Sequence, residues 1–266
     1  MLGGKMKKNK LTSALAPFLL TASAVVSAQI VSEAGVGGQV STFNGGPTVL
    51  YDQTGAVAVD GAPDQNFEAG YDIYDTFVAD DFVVTDATGW HITQVSTVGT
   101  YSVNGPAASV NVSFHADAGG SPNPTPIAGC DFPGASIISD TLGAFVVDLG
   151  AGCVVPQGTV WLVHQTNLDF AGGVGGQHFF SNTSTVTGNE GHFLNPGDGF
   201  GAGCTTWTAS SVCGVGGGGA QDYLFSVAGE VAAPAEPLSV PTTTWYGLGL
   251  LLLGMGFFGR RFVKNS

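Results

Sequence analysis

The densest carboxylates in this chain lie in Asp72-Ile-Tyr-Asp75 and, shortly after, in Asp80-Asp81. Oxygen donors grouped in this way suit a hard divalent cation, and calcium takes six to eight of them. Asp72, Asp75, Asp80 and Asp81 are therefore one candidate metal set, completed by a backbone carbonyl and by ligands from elsewhere in the fold. The competing reading is conformational, with an Asp capping a turn before the apolar strand Phe82-Val83-Val84. On an extended chain neighbouring side chains point to opposite faces, so this pattern predicts that at most one of Asp80 and Asp81 faces inward.

A second stretch, Asn195-Pro-Gly-Asp198 followed by Gly-Phe-Gly-Ala-Gly and Cys204 to Cys213, carries Trp207 on a short cysteine-bounded loop. Such a Trp can be a stacking platform for a sugar ring, with Asn195 and Asp198 as polar partners. The competing reading, and the favoured one, is that it packs inward and caps the core. A third stretch, His115-Ala-Asp117-Ala-Gly119-Gly120-Ser-Pro122, has turn chemistry: Asp117 can accept from its own downstream amides, the glycines permit positive φ, and Pro122 should stop strand pairing.

No catalytic motif accompanies these residues. The chain has no G-x-S-x-G elbow, no H-E-x-x-H and no dinucleotide fingerprint. His91, His115, His164, His178 and His192 are scattered rather than spaced as ligands, and His164 beside Trp161 fits a core or edge position. Glycosidases need two opposed carboxylates, and the many aspartates single out no pair. Enzymatic activity is not expected; a polysaccharide-acting hydrolase is the least favoured alternative.

The elements that must position these residues read as short strands. Ser109–Ala116 alternates Val110, Val112 and Phe114 against Asn111, Ser113 and His115. Gly143–Leu149, Thr159–Thr166, Asp222–Ala228, Asp81–Thr85, Trp90–Tyr101 and His178–Thr183 follow the same logic, separated by Gly, Pro, Asn and Asp. No segment sustains helical spacing. The expected fold is all-β, a single β-sandwich of jelly-roll type over residues 29–231.

Charge sharpens this picture. The chain carries seven Lys and Arg against 20 Asp and Glu, a net −13. All seven cations sit at the ends, at Lys5, Lys7, Lys8, Lys10, Arg260, Arg261 and Lys264, whereas every acid lies between Glu33 and Glu236. The body between the ends has no permanent cation, so its carboxylates must be met by backbone N–H groups, water, histidine or metal. Nucleic acid is excluded as a partner, because its phosphates need neutralising cations.

The ends are addresses. Lys5 to Lys10, the apolar run Leu11–Val26 and the small residues Ser27-Ala28 form a secretory signal peptide, residues 1–28. In an exported chain the four cysteines are expected to be oxidised. Of three pairings, Cys130–Cys153 and Cys204–Cys213 close the two local, turn-rich loops. Residues 232–240, Ala-Ala-Pro-Ala-Glu-Pro-Leu-Ser-Val, form a linker. Residues 241–266 hold an uncharged apolar run, Trp245 to Gly259, of about 15 residues or roughly 22 Å as a helix. It ends in Arg260 and Arg261, which places the C-terminus in the cytoplasm.

This tail, Val240-Pro241-Thr242 with Trp245, an apolar run and basic residues, resembles the PEP-CTERM sorting signals of Gram-negative bacteria. It looks most like the IPTL-CTERM variant, with Thr243-Thr244 in place of Leu-Ser. The resemblance implies an inner-membrane intermediate with a single transmembrane helix, recognition by an exosortase-type enzyme, and transfer to the outer surface or extracellular matrix. The body, through Leu50-Tyr51-Asp52-Gln53, Ala79-Asp80-Asp81-Phe82, Phe114-His115-Ala116-Asp117 and Gly203-Cys204-Thr205-Thr206-Trp207, is similar to uncharacterised exported domains that often carry such tails. The expected function is a structural or adhesive role in the envelope or exopolysaccharide matrix. The alternatives are a carbohydrate-binding module and a calcium-dependent adhesion domain.

Overall fold

The computed structural model describes residues 46–103, 105–171 and 176–234. The expected signal peptide, most of the linker, the signature Val240, Pro241, Thr242 and Trp245, the apolar run, and Arg260 and Arg261 lie outside them. The strands, in chain order, begin with β1 (Thr48–Asp52), β2 (Asp60–Pro63), β3 (Gln65–Asn66), β4 (Phe77–Val84) and β5 (Trp90–Thr97). They continue with β6 (Gly99–Tyr101), β7 (Ser109–Asp117), β8 (Pro122–Thr141), β9 (Ala144–Val155) and β10 (Gly158–Asn167). The last are β11 (His178–Thr183), β12 (His192–Leu194), β13 (Thr208–Ala209), β14 (Asp222–Tyr223) and β15 (Phe225–Val231). A 3-10 turn (Asp72–Tyr74) and a one-turn helix, α1 (Ser210–Cys213), are the helical pieces among the described residues.

The fold is all-β and built on a curled sheet ordered β1-β15-β5-β9-β8-β7-β10-β4-β12-β13, with β3 added alongside β10. The second sheet runs β14-β11-β2, with β6 also on β11. The curl comes from β8. Its first part pairs with β7, from Pro122 opposite Asp117 to Ala135 opposite Val110, and its last part pairs with β9, from Ser136 to Thr141. Register shifts along both pairings let one strand serve both halves of the sheet, as bulges bend and twist a strand. Pro122 therefore opens the longest strand instead of stopping pairing. A proline tolerates a strand's first position, where its missing N–H breaks no ladder.

Curling sets the two halves face to face over one core. Phe82 of β4 stacks on Trp90 of β5 at 6.0 Å and meets Phe114 and Phe225 edge-on at 6.2 and 6.0 Å. Phe82, Phe114, Phe145 and Phe225 are all fully buried, each contributing about 1.5–3 kcal/mol by removal from water. The disulfide Cys130–Cys153 ties β8 to β9, and Cys204–Cys213 closes the loop that carries β13 and α1.

Strand β10 is buried on both faces: Val160 and Leu162 join the main core, while Trp161 and Val163 form a smaller cluster with Ala79. Phe77 and Trp207 pack over that second cluster. This explains a departure from the sequence reading of Asp80 and Asp81. They sit inside β4 rather than capping its entry, and both are buried. Alternation still holds, because Asp80 lies opposite Leu162 and Asp81 opposite Trp161. The rule that only one face is inward fails because the outer face is covered too.

Candidate functional site

Three polar or aromatic constellations can be built from these elements. The first lies wholly inside. Asp64, just before β3, His164 of β10 and His178 of β11 have no exposed side-chain surface. Asp64 Oδ1 is 2.6 Å from His178 Nδ1 and Oδ2 is 2.7 Å from His164 Nδ1. Thr166 donates its hydroxyl to Asp64 Oδ2 at 3.1 Å. His178 Nε2 lies 2.8 Å from the Gly143 carbonyl. Both nitrogens of that ring thus face acceptors, which requires a proton on each. Burial opposes the charge, but the Asp64 carboxylate outweighs it and holds the His178 pKa above its ordinary value. Burial likewise opposes the Asp64 charge, and His178 with the hydrogen bonds of both rings pulls its pKa below the ordinary range.

The second constellation joins Asp80, Asp81 and Asp222. Asp80 Oδ2 accepts from the Gln53 amide at 2.8 Å and from the Tyr223 N–H at 2.5 Å. Asp222 Oδ2 accepts from Thr187 N–H at 2.5 Å, while its buried Oδ1 has no hydrogen-bond partner among the described residues. Asp81 is met by the N–H and side-chain amide of Asn189. Burial, then the charge of Asp222, raises the Asp80 pKa well above the carboxylate range; burial, then Asp81 and Glu190, raises Asp222 to about 7. Asp222 therefore carries a proton at mildly acidic pH.

The proposed metal set does not come together. Asp72 belongs to the 3-10 turn, and Asp75 accepts from Phe67 N–H at 2.8 Å. Asp80 and Asp81 are occupied as described, on opposite faces of β4. Among the described residues no group of three or more acidic, histidine or cysteine side chains surrounds a common point.

The proposed sugar platform is also rearranged. Trp207 lies half-buried on Ala79, Trp161 and Val163. Asn195 is fully buried, its amide donating to the carbonyls of Ile73 at 3.0 Å and Asp75 at 2.8 Å and its oxygen accepting from Phe200 N–H at 3.2 Å. Asp198, at φ 51°, accepts from Gly203 N–H at 2.8 Å. Both residues shape a loop rather than reach out of it.

That loop builds the third constellation, which is open to solvent. Asn195 clips residues 195–200 to the 3-10 turn, and Gly199 N–H adds a bond to Ile73 O at 2.8 Å. The approach is close: a Cβ on Gly197 or Gly199 would stand 2.5 Å from Ile73 backbone atoms. The clip brings Phe200 edge-on to Tyr74 at 5.3 Å. On the other side Glu68 accepts from the N–H groups of Phe170 and Ala171 at 2.7 and 2.8 Å. Phe170 then meets Phe67 and Tyr71 edge-on at 6.1 and 5.7 Å. The result is a groove of about 240 Å³ lined by Phe67, Tyr71, Tyr74, Phe170, Phe200 and Gln177. Phe170 and Phe200 are more than two-fifths exposed. The sequence reading missed this groove because its rings come from three separate loops; only the spacing Phe67, Tyr71, Tyr74 hinted at it.

No protein family matches the chain, and no curated protein matches it. Among solved structures it is similar to the cysteine protease and lectin-like domains of Cwp84, a surface layer associated protein of Clostridium difficile. The identity is 10% and the TM-score 0.41, over 59% of this chain and 32% of that one. The match therefore spans about a third of that protein's chain.

Proposed function

We propose that this chain is an exported surface protein whose jelly-roll-like β-sandwich has a structural or adhesive role in the cell envelope or exopolysaccharide matrix. In this reading residues 1–28 direct export, and an exosortase-type enzyme reads the tail from Val240. The observation that carries it is the division of charge. Seven cations lie in the two ends, and the body between them holds none, is closed by two disulfides and meets its buried acids with histidine and amides. Disulfides belong to oxidising compartments. Cell fractionation tests the address. The full chain should sediment with the envelope, and a chain ending at Val240 should appear in the medium; identical partitioning would contradict the sorting role.

A carbohydrate-binding role is the second reading, and the aromatic groove between the 3-10 turn and the loop 195–200 supports it. Exposed aromatic clusters rimmed by polar groups mark binding surfaces more often than ordinary solvent-facing surface.

A further inference from the structure

We propose that the groove formed by Phe67, Tyr71, Tyr74, Phe170 and Phe200 binds a glycan of amino sugars, one ring at a time, by stacking, with the acidic body around it favouring a cationic sugar. The inference deepens the adhesive reading by naming the ligand class of one surface.

Shape comes first. Tyr74–Phe200, Tyr71–Phe170 and Phe67–Phe170 meet at interplanar angles of 70°, 65° and 63°. Rings set nearly at right angles make walls with both faces and edges presented, rather than one flat shelf. The space between them, about 240 Å³, lies below the ~300–1,000 Å³ usual for drug-sized ligands. A single pyranose, with an apolar C–H face and a polar rim, is of that scale. Gln177 lies at the lining with Tyr71 and Tyr74, whose phenol groups add polar atoms to the aromatic walls. Hydrogen-bonding groups beside aromatic faces fit a ligand that has both surfaces.

Charge then selects among sugars. Acids stand next to or near the ring residues in the chain, at Glu68, Asp72, Asp75, Asp169 and Asp198; Glu68, Asp75 and Asp198 accept from backbone N–H groups, so they contribute field rather than contact. Asp72, Asp169 and Asp198 are exposed, and no Lys or Arg exists in the body to offset them. A uronate or sulfated sugar would be repelled. A glucosamine ring would stack and also bring an ammonium group, attracted by the acids and by the faces of the aromatic rings.

The groove is held by parts that sit behind it. Asn195 fixes Phe200 and Glu68 fixes Phe170, so the walls exist before a ligand arrives and little ordering cost falls on binding.

The test is calorimetric titration of the purified full chain at pH 6 with a glucosamine hexamer, a cello-hexamer and a hexagalacturonate. Saturable binding of the glucosamine hexamer is expected, with at least tenfold weaker binding to the cello-hexamer and none to the galacturonate. Phe170→Ala should weaken glucosamine binding at least tenfold, and Phe170→Leu, which keeps bulk but not the ring, should do nearly the same with an unchanged melting temperature. The exposed Val212→Ser should leave it unaltered. Binding that persists in both Phe170 variants, equal binding of galacturonate, or saturation by tetramethylammonium or an alkyl chain with none by the hexamer would each overturn the proposal. Because the readout uses purified protein, its failure leaves the sorting reading to stand or fall by fractionation.

Discussion

His178 Nδ1 stands 2.6 Å from Asp64 Oδ1, and both groups are shut off from solvent. With its other nitrogen on the Gly143 carbonyl, the ring is an imidazolium, so this pair does inside the fold what a Lys or Arg salt bridge would do elsewhere. A chain whose body lacks both residues has histidine as its one source of positive side-chain charge.

Asp64→Asn should expose how much rests on this pair. The substitution leaves a buried imidazolium without its counter-charge, a change that costs about 3–5 kcal/mol. The pH window follows from the shifts. His178 is raised, so its contribution is full below the ordinary histidine value and fades as pH rises past its folded pKa. Asp64 is lowered, so its contribution is full above the ordinary carboxylate value and fades as pH falls past its folded pKa. Urea unfolding of both forms should therefore differ most between about pH 4 and 6.5, and a difference that is constant with pH would contradict the assignment.

Asp222→Asn should act in the opposite sense at alkaline pH. A carboxyl raised to about 7 in the fold contributes stability that is full below its unfolded pKa near 4 and lost as pH rises through 7. The parent chain should melt higher at pH 5 than at pH 8. The variant, which keeps an acceptor for Thr187 N–H and removes the ionisation, should melt several degrees above the parent at pH 8 and show a flatter profile. Asp80 will leave a residual slope, since it too is raised.

The sequence foretold much of the scaffold and little of the sites. Strands over 109–116, 159–166 and 178–183 were legible because alternation and turn residues bound them, and the structure has β7, β10 and β11 there. Strand β8 was not, because its four prolines and bulges break any period. The local cysteine pairing was legible from loop length. The Asp64 cluster was not, since its partners lie 100 and 114 positions away and no local motif links them. The one general hint was that acids without Lys or Arg must turn to histidine. Asn195 was expected as a polar partner for a sugar, but its amide points into the fold, where it fastens the loop that holds Phe200.

Asn195→Ala tests that fastening. It takes the side-chain donor from the carbonyl of Asp75 and one of two donors from that of Ile73, which keeps Gly199 N–H, and should cost about 1–3 kcal/mol. Hydrogen exchange should rise at Gly199 and Phe200, whose N–H groups bond Ile73 and Asn195. Unchanged exchange there would show that the clip is not what holds Phe200.

Loss of either disulfide should be costly and local. The loops they close span 23 and 9 positions, for which chain-entropy reasoning gives about 3 kcal/mol apiece. The paired variants Cys130→Ser/Cys153→Ser and Cys204→Ser/Cys213→Ser should each lower the urea midpoint. The first should loosen the β8–β9 junction, and the second the segment under Trp207, which its quenching by acrylamide would report.

The most direct measurement for the account as a whole is the intact mass of the protein recovered from the cell exterior, taken before and after alkylation without reductant. A chain that begins at Gln29, is cut near Val240 and gains no alkyl group is the predicted result. A chain that keeps its first 28 residues and its basic tail, or that takes up label on any of its four cysteines, would contradict it.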